Sequence, residues 1–167
     1  MTDKDIHLTH LTSDGHAHMV DVGEKVVTAR RATARARVRM SRQTFDKLVS
    51  GNTPKGDVLA TARIAGIQAS KLTPQLIPLC HSIQLTRVEV SITLEGGIAI
   101  VDATAEARDR TGVEMEAMVA ASAAALTLYD MLKAVDRAMS FDVCLLEKAG
   151  GRTGHWTRPA TGGADTP

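Results

Sequence analysis

"LTRVEVSITLEGGIAIVDATAEAR" (residues 85–108) decides the architecture. Two alternating runs, 85–95 and 98–108, flank a glycine pair at 96–97. A period of two places one face of each run in a core and the other towards water. The glycine pair suits the positive φ angles of a tight hairpin turn. An antiparallel hairpin in the middle of the chain is therefore expected.

Downstream, "DRTG" (109–112) turns the chain and a long helix is expected over about 113–135. Ala121, Ala125, Leu128, Leu132 and Val135 fall on one stripe, yet apolar residues surround that stripe through 117–126. A helix so apolar is covered on more than one side. One sheet covers one side, so another subunit is expected to cover part of the rest. "FDVCLLEKA" (141–149) reads as the last strand, and "GGRTG" (150–154) as the start of a mobile tail.

Upstream, "ATARARVRM" (32–40) alternates small or apolar with charged residues, a strand pattern. Ser41 caps a short helix, "RQTFDKLVS", stopped at Gly51. "TPKG" (53–56) is a loop, and Asp57 caps a helix to about Ser70, with Val58, Ala62, Ala65 and Ala69 on one face. The order is strand, helix, helix, strand, strand, helix, strand. Without a βαβ rhythm, and with a central hairpin, this is an α+β fold: an antiparallel sheet with helices on one face.

The 167 residues fit a single domain, with no repeats and no interior linker. Aromatic residues make up only 2%, so the core must be aliphatic and alanine-rich, and base stacking on aromatic platforms is disfavoured. The net charge of +1 gives no global pull towards nucleic acid or membrane. Cys80 and Cys144 sit in dissimilar contexts and read as reduced thiols. The N-terminus is polar, and "AMVAASAAALTLY" (117–129) is shorter than the about 20 apolar residues that spanning needs. A soluble, cytoplasmic protein is expected.

Several polar groups invite a chemical reading, and each has a plainer one. "LIPLCH" (76–81) ends an apolar run at Cys80 and His81, with Pro78 forbidding a helix interior. These two residues are metal ligands, a nucleophile and base, binding groups, or simply a corner. No CxxC partner supports zinc, and adjacency alone makes no nucleophile. "PKGD" (54–57) places Lys55 before a glycine and a helix start, which suits phosphate but equally an ordinary loop. Glu114 and Glu116 suit the dipole at the start of the long helix. Asp130 and Lys133, three apart, share a helical face as an ion pair or a proton-transfer pair, and Lys148 ends the last strand nearby in kind. His7, His10, His16 and His18 are too loosely spaced to favour a metal over solvated side chains.

Taken together, "HMVDV" (18–22), "KGDVLATARIAGIQASK" (55–71), "LIPLCH" (76–81), "TGVEMEAM" (111–118) and "ALTLYDMLKAVD" (125–136) resemble the molybdenum cofactor biosynthesis protein C family, cyclic pyranopterin monophosphate synthase. The resemblance covers about residues 8–158. It implies a ferredoxin-like α+β fold and a lyase that turns 3′,8-cyclo-7,8-dihydroguanosine 5′-triphosphate into cyclic pyranopterin monophosphate, releasing pyrophosphate. It also implies a homohexamer, a trimer of dimers with active sites at dimer interfaces. The partner in chemistry is a small nucleotide-derived molecule, with neither nucleic acid nor membrane involved. No cofactor is required by the resemblance, although a divalent cation such as magnesium accompanying the triphosphate is compatible with it.

Carried over by residue, the resemblance implies that Asp130 and Lys133 are catalytic. It implies that Leu79, Cys80, His81, Met115 and Glu116 contact substrate, with Glu114, Lys55 and Lys148 further pocket residues. Arg30 stands where the family contributes an arginine across the interface. His81 is expected to meet phosphate or the ribose region. Two other classes compete: a non-catalytic nucleotide- or phosphate-binding protein on the same scaffold, and a metal-dependent hydrolase using the N-terminal histidines.

Overall fold

A computed structural model describes residues 14–159. His7 and His10, and residues 8–13 of the expected core, lie outside the described residues. The central hairpin is formed as the alternation requires: β2 (Leu85–Glu95) and β3 (Ile98–Asp109) pair antiparallel, with Glu95 opposite Ile98. Gly96 and Gly97 turn the chain at φ +55° and +87°, values that most side chains resist.

β1 (Thr28–Arg39) pairs with β3 on one side and with β4 (Ser140–Ala149) on the other. A two-residue strand, β5 (Trp156–Thr157), adds to β4. The sheet order is β2-β3-β1-β4-β5, antiparallel throughout. The segment expected to be a mobile tail from residue 150 is therefore ordered as far as β5. A two-residue strand has no periodicity of its own, so only its pairing reveals it.

Between β1 and β2 lie α1 (Arg42–Ser50), α2 (Val58–Ser70) and a single turn, α3 (Thr73–Leu76). Ser41 and Asp57 cap α1 and α2, accepting from the backbone N–H groups of Thr44 and Ala60. The long helix α4 (Glu114–Leu132) joins β3 to β4. It ends three residues earlier than the apolar pattern suggests, with Lys133 as its C-cap. The principal elements run βαββαβ, with β1 and β3 central: the expected α+β, ferredoxin-like arrangement.

The core lies between the sheet and the helices α2 and α4, and it is built from small residues. Ala32, Ala34, Ala36 and Val38 of β1 meet it, as do Ala99, Val101, Ala103, Ala105 and Ala107 of β3. Ala117, Ala120, Ala121, Ala124, Ala125, Leu128 and Leu132 of α4 answer them. Alanine on both surfaces lets α4 approach the sheet closely, which suits a chain with so few aromatics. Helix α2 packs along α4, and a Cβ on Gly66 would stand 2.8 Å from the Ala120 carbonyl oxygen. A second side of α4 is thus covered by α2 of the same chain. Ile64 of α2 and Leu126 of α4 remain exposed.

The other sheet face carries charge in matched rows. Arg35 grips Asp102 with two hydrogen bonds of 2.7 Å, and Arg31 pairs with Glu147 at 2.8 Å.

Candidate active site

Two places hold the residues singled out in the sequence, at opposite ends of α4. The first is a cleft around its N-terminus. One lobe is lined by Val20, Val22, Leu79, Cys80, His81, Ile83, Met115 and Glu116. The adjoining lobe, about 500 Å³, is lined by Thr28, Arg30, Arg31, Arg110, Lys148 and the turn 149–153. Lys25, Thr111, Gly112, Glu114 and Arg152 line both, so the lobes are continuous.

Pro78 ends α3's turn and sends the chain outward, which places Cys80 and His81 in the first lobe, both half-buried. Burial, and then the nearby Glu116, raise the Cys80 thiol above its ordinary value. A protonated thiol binds and packs; it does not attack. His81 Nε2 lies 2.7 Å from the Val20 carbonyl and donates to it. That nitrogen ties down the segment before β1, leaving Nδ1 as the ring's remaining polar atom for a ligand.

Glu116, in the first turn of α4, is 3% exposed. Burial raises its carboxyl to about 7, with its own amide offsetting part of the effect and Glu114 and Asp109 adding to it. At Glu116 desolvation outweighs the favourable amide at the helix start. Glu114 is half-buried at the junction of the lobes.

Strand parity separates the two neighbouring arginines. Arg30 shares its face of β1 with the buried Ala32 and Ala34, whereas Arg31 shares the opposite face with Arg35. Arg30 donates from Nε to the Asp109 carbonyl at 3.1 Å and from Nη2 to the Arg110 carbonyl at 2.9 Å. A Cβ on Gly151 would collide with its guanidinium, so the glycine pair after β4 makes room for it. Lys148 reaches across the same turn to the Thr153 hydroxyl.

The second place is the C-terminal end of α4. Lys133 Nζ is 2.6 Å from Asp130 Oδ1, and Lys55 Nζ is 2.9 Å from Oδ2 and 3.0 Å from the Asp130 carbonyl. Hydrogen bonds from Lys133, then from Lys55, hold the Asp130 carboxyl down at about 2. All three side chains are about half exposed, so within one chain Lys133 is not desolvated. Asp57 turns its carboxylate to its own helix N-terminus, which leaves that site unsuited to phosphate.

Asp130, Lys133 and Lys55 do not line the cleft. Glu114 and Asp130 are sixteen residues apart on one helix, about 24 Å at roughly 1.5 Å per residue. The chain brings together Arg30, Leu79, Cys80, His81, Glu114, Met115, Glu116 and Lys148, and holds Asp130, Lys133 and Lys55 elsewhere. Sequence reasoning passed over Lys25, Arg110 and Arg152 in the cleft. One signal was available: the tripeptide Arg-Thr-Gly occurs at 110–112 and again at 152–154, and both turns meet here. Among the described residues no group of three or more His, Cys, Asp or Glu side chains is placed to hold a metal, His16 and His18 included.

Comparison with known proteins gives the same direction. The MoaC family profile matches residues 19–151. Two proteins named cyclic pyranopterin monophosphate synthase, from Chloroflexus aurantiacus strains J-10-fl and Y-400-fl, are each 51% identical over 162 residues. Each alignment covers 95% of this chain and 99% of the relative. With a family profile across most of its length and relatives half-identical over nearly all of it, the chain belongs to the MoaC family.

Proposed function

We propose that this protein is a cyclic pyranopterin monophosphate synthase acting in molybdenum cofactor biosynthesis. It converts 3′,8-cyclo-7,8-dihydroguanosine 5′-triphosphate to cyclic pyranopterin monophosphate and pyrophosphate. The observation that carries the reading is the cleft's division of labour. The buried Glu116 lines the first lobe alone, Arg30, Arg31, Arg110 and Lys148 line the second alone, and Glu114, Lys25 and Arg152 stand at the junction. A ring bearing amino groups matches the first lobe and a triphosphate the second.

The reaction rearranges carbon–nitrogen bonds, rebuilds the base as a pterin and closes a cyclic phosphate. In the last step a sugar hydroxyl bonds to the α-phosphorus, and the bond to the β-phosphate breaks with pyrophosphate leaving. These steps need proton transfers. Lys133 supplies and removes protons, and the ionised Asp130 orients its ammonium together with Lys55. Leu79, Cys80, His81 and Met115 shape the ring pocket. Glu114 and Glu116 accept from the amino groups, and Glu116 with its carboxyl near 7 can also give a proton.

One chain cannot present both ends of α4 to one substrate. A two-fold pairing of copies sets the C-terminal end of one α4 beside the cleft of the other, and generates two such sites by symmetry. The exposed Ile64 and Leu126 support a helix-layer contact. Lys55, Asp130 and Lys133 would then come from the partner copy, and three such dimers would form a homohexamer. The free, half-buried Cys80 and Cys144 fit the cytoplasm as the place of work. The protein needs no cofactor of its own in this account, and a divalent cation such as magnesium would arrive on the triphosphate as part of the substrate.

The test is pyrophosphate release from the cyclised nucleotide by the purified protein, with the pterin product followed by absorbance. Turnover supports the synthase. Binding without release would overturn it in favour of a phosphate-binding protein on the same scaffold.

A further inference from the structure

We propose that Asp136 is a positioning residue for the chemistry at the C-terminal end of α4. Its carboxylate clasps the start of α1 to the turn that follows Lys133, and so fixes the Lys55 loop against Lys133 and Asp130. This rests on the synthase reading for what Lys133 and Lys55 do.

Lys133 is the C-cap of α4, so its backbone is only as fixed as the turn after it. Asp136 closes that turn twice. Its backbone N–H donates to the Leu132 carbonyl at 3.1 Å, and its Oδ1 accepts from the Ala138 N–H at 2.9 Å. The second carboxylate oxygen reaches out of the turn. Oδ2 accepts from the Ser41 N–H at 2.8 Å and from the Thr44 hydroxyl at 3.5 Å. Ser41 is the N-cap of α1, so the carboxylate sits where a helix start presents N–H groups and favours an anion. Hydrogen bonding from the Ser41 amide, helped by the Ala138 amide against the opposing effect of burial, holds the Asp136 carboxyl below the ordinary carboxylate range.

The clasp matters because little else holds α1. This helix packs sparsely on the rest of the chain and buries only Thr44 and Leu48. Among the described residues its other side-chain hydrogen bonds stay inside it, from Arg42 to Asp46 and from Ser50 to the Lys47 carbonyl. Past Gly51 the chain runs directly into the loop that carries Lys55, whose Nζ reaches Asp130 Oδ2 at 2.9 Å. A closed ring results, from the end of α4 through Asp136, α1 and Lys55 back to Asp130. Lys55 and Lys133 hold the two oxygens of one carboxylate, so slack in α1 misplaces both ammonium groups. The Lys55–Asp130 pair is about half exposed and too weak to impose that geometry alone.

Hydrogen exchange of the full-length protein, followed by mass spectrometry, reads the clasp whether or not the protein turns over. Asp136→Ala should speed amide exchange in residues 51–57 about tenfold, through loss of the bonds to Ser41 and Ala138, and leave β3 unchanged. Asp136→Asn keeps one acceptor and should show a smaller rise; it serves where circular dichroism finds the alanine variant poorly folded. Arg42→Ala, on the same helix, should change nothing. In turnover, Asp136→Ala should lower kcat about tenfold or more with KM little changed. Added to Lys55→Ala it should cost well under that, because the loop it positions no longer carries the amine. Unaltered exchange in 51–57, an unaltered kcat in a folded Asp136 variant, or a full tenfold loss added to Lys55→Ala would overturn the role. If 51–57 loosens in Asp136→Ala but the wild type does not turn over, the clasp stands and the synthase reading falls. If the wild type turns over and 51–57 exchanges normally in Asp136→Ala, the reverse holds.

Discussion

Lys133 Nζ donates to Asp130 Oδ1 across one turn of α4, at 2.6 Å, and the carboxyl it meets is held at about 2. Asp130 is therefore ionised wherever the protein works. In the proposed reaction its role is to hold and orient an ammonium, and the proton that moves is the lysine's.

Lys133→Ala should abolish most turnover, by about 10²–10⁴-fold, the usual worth of a positioned acid or base. Asp130→Asn should lower kcat as well, through loss of orientation. Both side chains are half exposed, so both variants should melt close to the wild type. Because the Asp130 carboxyl is lowered, any stability it lends is present above the ordinary carboxylate range and is lost only as pH falls towards 2. An acid limb in the rate profile near neutrality would belong to another group. Steady-state kinetics from pH 5 to 9, with thermal melts alongside, check this.

Glu116 should behave in the opposite sense. Its folded-state carboxyl is raised to about 7 from the ordinary 4.5. Its protonation favours the folded state, so stability is fullest below pH 4.5 and falls as pH rises through 7. Glu116→Gln removes that penalty. The variant should gain up to about 3 kcal/mol over the wild type at pH 8 and nothing at pH 4.5, while losing activity. Urea unfolding at the two pH values measures the difference.

Gly66→Ala should weaken the α2–α4 contact. The added methyl would stand 2.8 Å from the Ala120 carbonyl oxygen and 3.2 Å from Val90 Cγ2. Backbone must shift to admit it, at a cost of about 1–3 kcal/mol, which the helix-favouring alanine only partly offsets. Chemical denaturation reads the loss directly.

Much of the fold was legible because its signals are local. The period of two in 85–95 and 98–108, the Gly96–Gly97 turn, and the caps Ser41 and Asp57 each lie within a few residues of what they determine. What was missed depends on distant pairing: β5 exists only against β4, and the cover on α4 comes from α2, some fifty residues earlier in the chain. The site divides in the same way. "LIPLCH" and "GVEMEA" are visible as local motifs, but each alone has a plainer reading, and only the motifs together, through the family resemblance, point to one pocket. Lys25, Arg110 and Arg152 are ordinary single cations until folding joins three separate turns. Strand parity could have separated Arg30 from Arg31, since Arg30 alternates in step with Ala32, Ala34, Ala36 and Val38.

The central claim is one active site built from opposite ends of two α4 helices, and subunit complementation tests it most directly. Lys133→Ala and Glu116→Ala proteins, each inactive alone, would be mixed, dissociated and reassembled, with hybrid oligomers verified by mass. If each site takes its two ends from different copies, random reassembly into two-fold pairs restores about a quarter of wild-type pyrophosphate release. Hybrids that form but remain inactive would contradict the account, placing both ends of the chemistry within a single chain.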